Sequence, residues 1–326
     1  MSMKAKIIFY ISIVLISINC TSQNGRIISE TDFQIKKFDT LYQRLSNDSG
    51  NLKTKYNYLN EVEMKTFFYE SDGLKVKGYM AYPNDTNKTY PVIIYNRGGN
   101  REFGNLNEYK MAFILAKVAS WGYVVVASQY RGNDGGEGME EFGGADVRDI
   151  INLIDTSSYL KFADSSRIGM YGWSRGGMMT YLALMQTDKI KAAAVGGAVT
   201  DLKAMDESRD GEMGVYVYSE LMPGYEKNKD SVMAIRSAIY HANKLPKTTP
   251  ILLLHGTSDW RVIPEESLNM ALELQKAKVP YSLVMYEGGD HGLNEFRDEV
   301  NEQVKAWFDK YVKNNYPLPN LEPHGR

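Results

Sequence analysis

Six short apolar runs recur between residues 91 and 288: PVIIY, YVVVAS, RIGMYG, KAAAVGG, PILLLHG and YSLVMYEG. A strand that is apolar along its whole length must be covered on both faces. Helical spacing fills most of the intervals, at 107–120, 145–159, 177–186, 264–278 and 295–313. Strands alternating with helices predict an α/β protein with a mostly parallel sheet and helices on both faces. Two further strands, at 65–69 and 76–82, flank the turn Ser71-Asp72-Gly73 and predict an antiparallel hairpin ahead of the parallel set. The expected sheet has eight strands. Residues 201–246 break the alternation and read as an insertion above the sheet. Residues 21–60 read as a tether followed by a helical segment at 32–45, residues 61–315 as the main domain, and 316–326 as a tail.

Composition narrows the function classes. A chain of 326 residues, 43% hydrophobic and 24% charged, has ordinary globular composition. This argues against disorder, collagen and a multi-span membrane protein. Lys and Arg total 38 against 40 Asp and Glu, so the basic excess of a nucleic-acid binder is missing. A lone cysteine, Cys20, cannot form an intramolecular disulfide, and four histidines argue against a Cys/His metal cluster. No metal or organic cofactor is expected.

The first twenty residues read as an address. Lys4 and Lys6 precede an apolar run at 7–18 that is interrupted only by Ser12 and Ser17. The run is short for a bilayer span and suits the apolar core of a signal peptide. Cys20 follows directly, as in a bacterial lipoprotein signal, although Ser17-Ile18-Asn19 departs from the usual residues before the lipidated cysteine. The expectation is an exported chain, lipidated at Cys20 and held on a membrane, with an ordinary cleaved signal as the alternative.

The sharpest chemical signal is Gly172-Trp173-Ser174-Arg175-Gly176-Gly177, behind an apolar strand and ahead of a helical pattern. G-x-S-x-G in that context is a nucleophile elbow, with small residues demanded by the tight turn. A serine hydroxyl needs a base, and the base needs a carboxylate to fix its tautomer. His291 lies in a glycine-flanked loop after the last strand and is the expected base; His255 ends a strand and reads as structural. Asp259, on the loop after PILLLHG, is the expected acid, with Asp290 as its rival. The oxyanion needs preorganised N–H donors. Arg175 supplies one and Gly98 the other, with Arg97 and Gly99 as alternates. Arg97, Arg101 and Arg175 are expected either to hold an acidic group of the substrate or to pair with acids such as Glu102, Glu140 or Glu141. Trp173 and Tyr130 are further candidate substrate contacts. The glycine-rich stretch from Arg131 to Gly138 lacks the ending of a phosphate loop and reads as structural.

From Glu61 to Val312 the chain resembles the catalytic domain of the prolyl oligopeptidase family, within the α/β-hydrolase fold. The resemblance rests on Tyr69-Glu-Ser-Asp-Gly-Leu74, Val76-Lys-Gly-Tyr79, Tyr130-Arg-Gly132, Asp146, the elbow at 172–177, Ser237-Ala-Ile-Tyr-His-Ala242, His255-Gly-x-x-Asp259 and Asp290-His-Gly292. About 60 residues precede this region, so the β-propeller of the family's large peptidases is not expected. Asn96-Arg97-Gly98-Gly99 stands where those enzymes carry a loop whose tyrosine hydroxyl serves the oxyanion. The resemblance implies a serine hydrolase acting on short peptides or small esters, and the first twenty residues imply that it is exported. A carboxylesterase for acylated sugars and a silent binding protein on the same fold are the alternatives. The sequence leaves the oligomeric state open.

Overall fold

The computed structural model describes residues 23–36 and 39–325. Cys20 and the apolar run before it lie outside the described residues. Among the described residues a single nine-stranded sheet forms: β1 (Ile27–Asp32), β2 (Val62–Ser71), β3 (Leu74–Pro83), β4 (Tyr90–Asn96), β5 (Val124–Ser128), β6 (Ala163–Trp173), β7 (Ile190–Gly196), β8 (Ile251–Gly256) and β9 (Tyr281–Tyr286). Their spatial order is β1-β2-β3-β5-β4-β6-β7-β8-β9. The first strands pair antiparallel, and β5, β4, β6, β7, β8 and β9 pair in parallel.

The sheet therefore has one strand more than expected. β1 pairs with β2 from Ile27 opposite Tyr69 to Asp32 opposite Lys65, so part of the expected tether is an edge strand. The helix expected at 32–45 is confined to Thr40–Leu45.

Alternate residues of each central strand enter two separate cores. Val92, Ile94, Val124, Val126, Ile251 and Leu253 join one core with the helices Val147–Thr156, Arg175–Leu184 and Glu265–Ala277. Ile93, Tyr95, Val125, Ala127, Leu252 and Leu254 join the other, with a helical stretch from Glu108 to Ala119 and the helix Arg297–Phe308. The period of two along a strand thus puts helices on both faces. At the hairpin, buried Asp149 accepts hydrogen bonds from Ser71 Oγ at 2.6 Å and Arg131 Nη2 at 2.8 Å. Arg131 also donates to Asp72 at 3.0 Å, so the loop it opens ties the hairpin to the helix Val147–Thr156.

The insertion is a set of short helices, among them Leu202–Glu207 and Lys229–Arg236. Its Met205, Met213, Tyr218 and Met233 sink into the first core, while Met205, Arg209 and Met213 also line a cavity at the carboxyl ends of the parallel strands. That edge is where parallel sheets place their sites.

Candidate active site

Between β6 and the helix Arg175–Leu184 stands one residue, Ser174, at φ 59 and ψ −127. Such a conformation costs a non-glycine residue about 1–3 kcal/mol and persists only when its surroundings enforce it. Here Ser174 N–H donates to the Gly196 carbonyl at 2.8 Å, and the Ser174 carbonyl accepts from Gly177 N–H at 2.9 Å. The turn is also crowded. A Cβ on Gly172 would lie 2.1 Å from the Gly176 carbonyl oxygen, and one on Gly176 would lie 1.9 Å from that of Asn96. Only glycine fits at either position. Ser174 faces a cavity of about 520 Å³ whose lining includes Gly98, Trp173, Arg175 and His291.

β8 and β9 are parallel neighbours, so the loops that follow them leave the sheet side by side. The first carries Asp259 and the second His291. His291 Nδ1 lies 2.7 Å from Asp259 Oδ2. The other carboxylate oxygen accepts the N–H groups of Arg261 at 2.8 Å and Val262 at 3.1 Å. Burial by itself would raise the Asp259 pKa. Hydrogen bonds with His255 and His291 and the attraction of His291 outweigh it, and hold this carboxyl well below the usual range. An ionised carboxylate only accepts, so the His291 proton sits on Nδ1 and Nε2 is the basic nitrogen.

His255 is fully buried. Its Nε2 lies 2.9 Å from the Val262 carbonyl and 3.2 Å from Asp259 Oδ2, and its Nδ1 lies 2.6 Å from Ser267 Oγ. A carbonyl can only accept, so Nε2 donates and the Ser267 hydroxyl donates to Nδ1. The ring braces the acid and does not line the cavity. Asp290 turns back on its own loop, where it accepts Gly292 N–H at 2.8 Å. The Trp173 indole N–H donates to the His291 carbonyl at 2.8 Å, which fixes the base loop while the ring lines the cavity.

The loop after β4 brings Gly98 against the elbow: a Cβ there would lie 3.1 Å from Ser174 Cβ and 2.8 Å from the Trp173 carbonyl oxygen. Arg175 is the first residue of its helix, where backbone N–H groups have no intrahelical acceptor.

The expectation that Arg97, Arg101 and Tyr130 meet substrate gives way to a buried network. Arg97 and Tyr130 are fully buried and outside the cavity lining. Arg97 donates to the Gln129 carbonyl at 3.0 Å and the Gly98 carbonyl at 3.2 Å, and the Tyr130 hydroxyl donates to the Arg97 carbonyl at 3.0 Å. Burial, and then the neighbouring Arg175, push the Arg97 pKa down to about 10. The Arg175 guanidinium donates to Glu140 at 2.9 Å, Asp146 at 2.5 Å and the Gly99 carbonyl at 2.9 Å. Arg101 gives its backbone N–H to Glu140 at 2.6 Å and its guanidinium to Glu220. The arginines thus stiffen the loop beside Ser174, through Glu140 and Asp146 and, from the insertion, Glu220.

The sequence model of the prolyl oligopeptidase family matches residues 109–315. The chain belongs to this family. The sheet is accordingly that of an α/β hydrolase, and the chain is a serine hydrolase of a peptidase family. "Uncharacterized peptidase YtmA" of Bacillus subtilis is 29% identical over 78% of this chain and 94% of its own length. "Dipeptidyl-peptidase 5" of Porphyromonas gingivalis is 26% identical over 76% of this chain and 38% of its own. An acylaminoacyl peptidase from Pyrococcus horikoshii shares the fold at a TM-score of 0.67, with 24% identity over 83% of this chain and 46% of that one. The chain therefore spans most of YtmA and less than half of the other two.

Within this family member, several cavity residues escaped sequence reasoning. Met205, Arg209 and Met213 come from the insertion, and Trp260 and Arg261 follow Asp259 directly. Only the last two carried a signal, their place beside the acid.

Proposed function

We propose that the protein hydrolyses short peptides or small esters through Ser174, His291 and Asp259. Ser174 Oγ attacks the scissile carbonyl carbon while His291 Nε2 takes its proton. The carbonyl oxygen becomes an oxyanion facing the N–H groups of Arg175 and Gly98. Collapse of the tetrahedral intermediate breaks the bond to the leaving group, which receives the proton from His291. Water, deprotonated in turn by His291, then releases the acid and regenerates the serine. Asp259 orients the ring and stabilises the imidazolium.

The observation that carries this reading is the 2.7 Å contact between His291 and a buried, ionised Asp259, at a cavity shared with a serine on a strained turn. The Gly98–Gly99 backbone at the oxyanion loop also suits small esters, so an esterase is the second reading. The assay is purified protein on p-nitrophenyl acetate and butyrate beside peptidyl p-nitroanilides, with Ser174→Ala as control. Anilide cleavage lost in the variant supports a peptidase; ester turnover alone supports the esterase. If wild type is silent on both and refuses a fluorophosphonate label, the hydrolytic reading fails.

We also propose export and lipidation at Cys20, on the strength of Lys4, Lys6 and the apolar run at 7–18. Mass spectrometry of the membrane fraction should find a diacylglyceryl-modified N-terminal cysteine, and Cys20→Ala should release the protein from that fraction. An unmodified, soluble mature chain would count against the anchor.

A further inference from the structure

The cavity at Ser174 crosses the carboxyl edge of the sheet. Of its lining residues, Phe142, Met205 and Met213 belong to the core on one face, and Tyr95, Tyr171 and Val300 to the core on the other. It therefore has a lobe over each face, and Ser174, at the end of β6, stands where they meet. The second lobe is bounded by the helical stretch from Glu108 to Ala119, through Lys110, Phe113 and Ile114, and by the helix Arg297–Phe308. Trp173 and Gly292-Leu293-Asn294, the residues that directly follow His291, complete its wall. The base fixes which part of a substrate enters here. His291 must hand its proton to the departing atom, and the lobe walled by its own loop lies on that side. The acyl part is left with the lobe under the insertion.

The walls are largely aromatic: the Tyr95 and Tyr171 rings meet edge to face at 5.6 Å, and those of Tyr171 and Trp173 at 6.4 Å. Against them stands a cation without an acid. No Asp or Glu lines the cavity. Half-buried Lys110 donates to the Gly104 carbonyl, and Arg297, exposed on the solvent side, donates to Asn294. Neither forms an ion pair among the described residues. An ammonium carries three donors, so Lys110 has more to give than the hydrogen bond to Gly104. Burial, followed by the neighbouring Arg97, pushes the Lys110 pKa down to about 8. Arg97 itself has Glu140 at 3.7 Å; Lys110 has no such partner. A carboxylate entering the lobe would supply the missing counter-charge through a charge-assisted hydrogen bond, about twice as strong as a neutral one.

We propose that this lobe receives the leaving group and selects one with an apolar body ending in a carboxylate, held by Lys110, with Arg297 adding attraction from the solvent side. Two sources share that chemistry: the apolar C-terminal residue of a peptide, and the alcohol half of an ester of an aromatic hydroxy acid. This rests on the hydrolase reading of the same cavity and adds the leaving group to it.

The test follows release of the last residue from acetyl-Ala-Ala-Phe, acetyl-Ala-Ala-Gly and acetyl-Ala-Ala-Phe-amide. Beside them run 3-acetoxybenzoate and its methyl ester, each ester rate divided by its hydroxide rate. In whichever pair is turned over, the free acid should exceed its neutral partner in kcat/KM by at least about tenfold, and Phe should exceed Gly. Release of Phe identifies a peptide as the source; turnover of the esters alone identifies an aryl ester. Lys110→Gln should bring the acid-to-neutral ratio toward one, and Lys110→Arg should keep part of it. Arg261→Gln, in the other lobe, should leave that ratio standing. Equal rates for acid and neutral partner, or a ratio that survives Lys110→Gln and collapses in Arg261→Gln, would overturn the proposal. A binding arm separates it from catalysis: Ser174→Ala is titrated with acetyl-Ala-Ala-Phe and its amide by calorimetry. Tighter binding of the acid, lost when Lys110→Gln is added, would uphold the lobe even if Ser174 proved unreactive. Equal binding would sink it even if Ser174 took a fluorophosphonate label.

Discussion

Two acids show how position decides what a carboxyl group does. Asp259 is surrounded by donors and stays ionised, which is what an orienting acid requires. Asp259→Asn would remove the charge that fixes His291 with its proton on Nδ1. The expected loss in kcat is about 10³–10⁴-fold, with a smaller change in KM, in steady-state assays on the best substrate found. A variant within tenfold of wild type would contradict the role. Glu266 sits in the opposite situation. Its Oε2 accepts from Thr200 N–H at 2.7 Å, Asp201 N–H at 2.7 Å and Thr200 Oγ1 at 2.6 Å, yet Oε1 has no partner among the described residues. Burial pushes this carboxyl up from its ordinary 4.5 to about 7. Between those values the folded chain keeps a proton that the unfolded chain has lost. Stability must therefore fall as pH rises through that window and level off above it, by up to about 3 kcal/mol. Urea midpoints from pH 4.5 to 8 should show this slope in wild type and its loss in Glu266→Gln. Parallel curves for the two proteins would rule it out.

At the scale of elements, the elbow helix and the loop after β4 are joined by Arg175 rather than by packing alone. Its backbone heads the helix while its guanidinium reaches Gly99, Glu140 and Asp146. Arg175→Met keeps the backbone N–H but takes the guanidinium away from two buried carboxylates, leaving Glu140 the Arg101 N–H and Asp146 the Gly143 N–H. Removing one partner of such a pair costs about 3–5 kcal/mol, and the Gly98–Gly99 backbone loses its tether. Denaturation should register the first effect. A fall in kcat under conditions where the variant is still folded should register the second, and full kcat in the folded variant would show that the tether is not needed. The sequence made β4 and β8 legible because a strand buried on both faces is apolar throughout, as in PVIIY and ILLL. It marked the elbow because three glycines and a serine at one turn have few other uses. It did not reveal the Arg175 network, since pairing Arg97 and Arg175 with Glu140 and Asp146 depends on where two loops meet. Arg209 was hidden for the same reason, in an insertion without regular periodicity.

Across the whole molecule, the site belongs to the parallel half of the sheet and the antiparallel half serves it at a distance. β1 illustrates the separation. Its sequence, IISETD, is mostly exposed, which is why it carried no strand signal; it is recognisable only through its partner. It adds little apolar burial, but it covers one edge of the ten-residue β2. An uncovered strand of that length offers a row of unpaired backbone groups to another chain. Deleting residues 1–32 should therefore leave kcat/KM within about twofold, because none of the described residues in that stretch lines the cavity. It should also produce concentration-dependent association through β2. Light scattering across a dilution series, run beside the assay, tests both halves. A truncated protein that stays monomeric at high concentration would show that the β2 edge protects itself. One that loses activity while still folded would show that the edge strand reaches the site through the sheet.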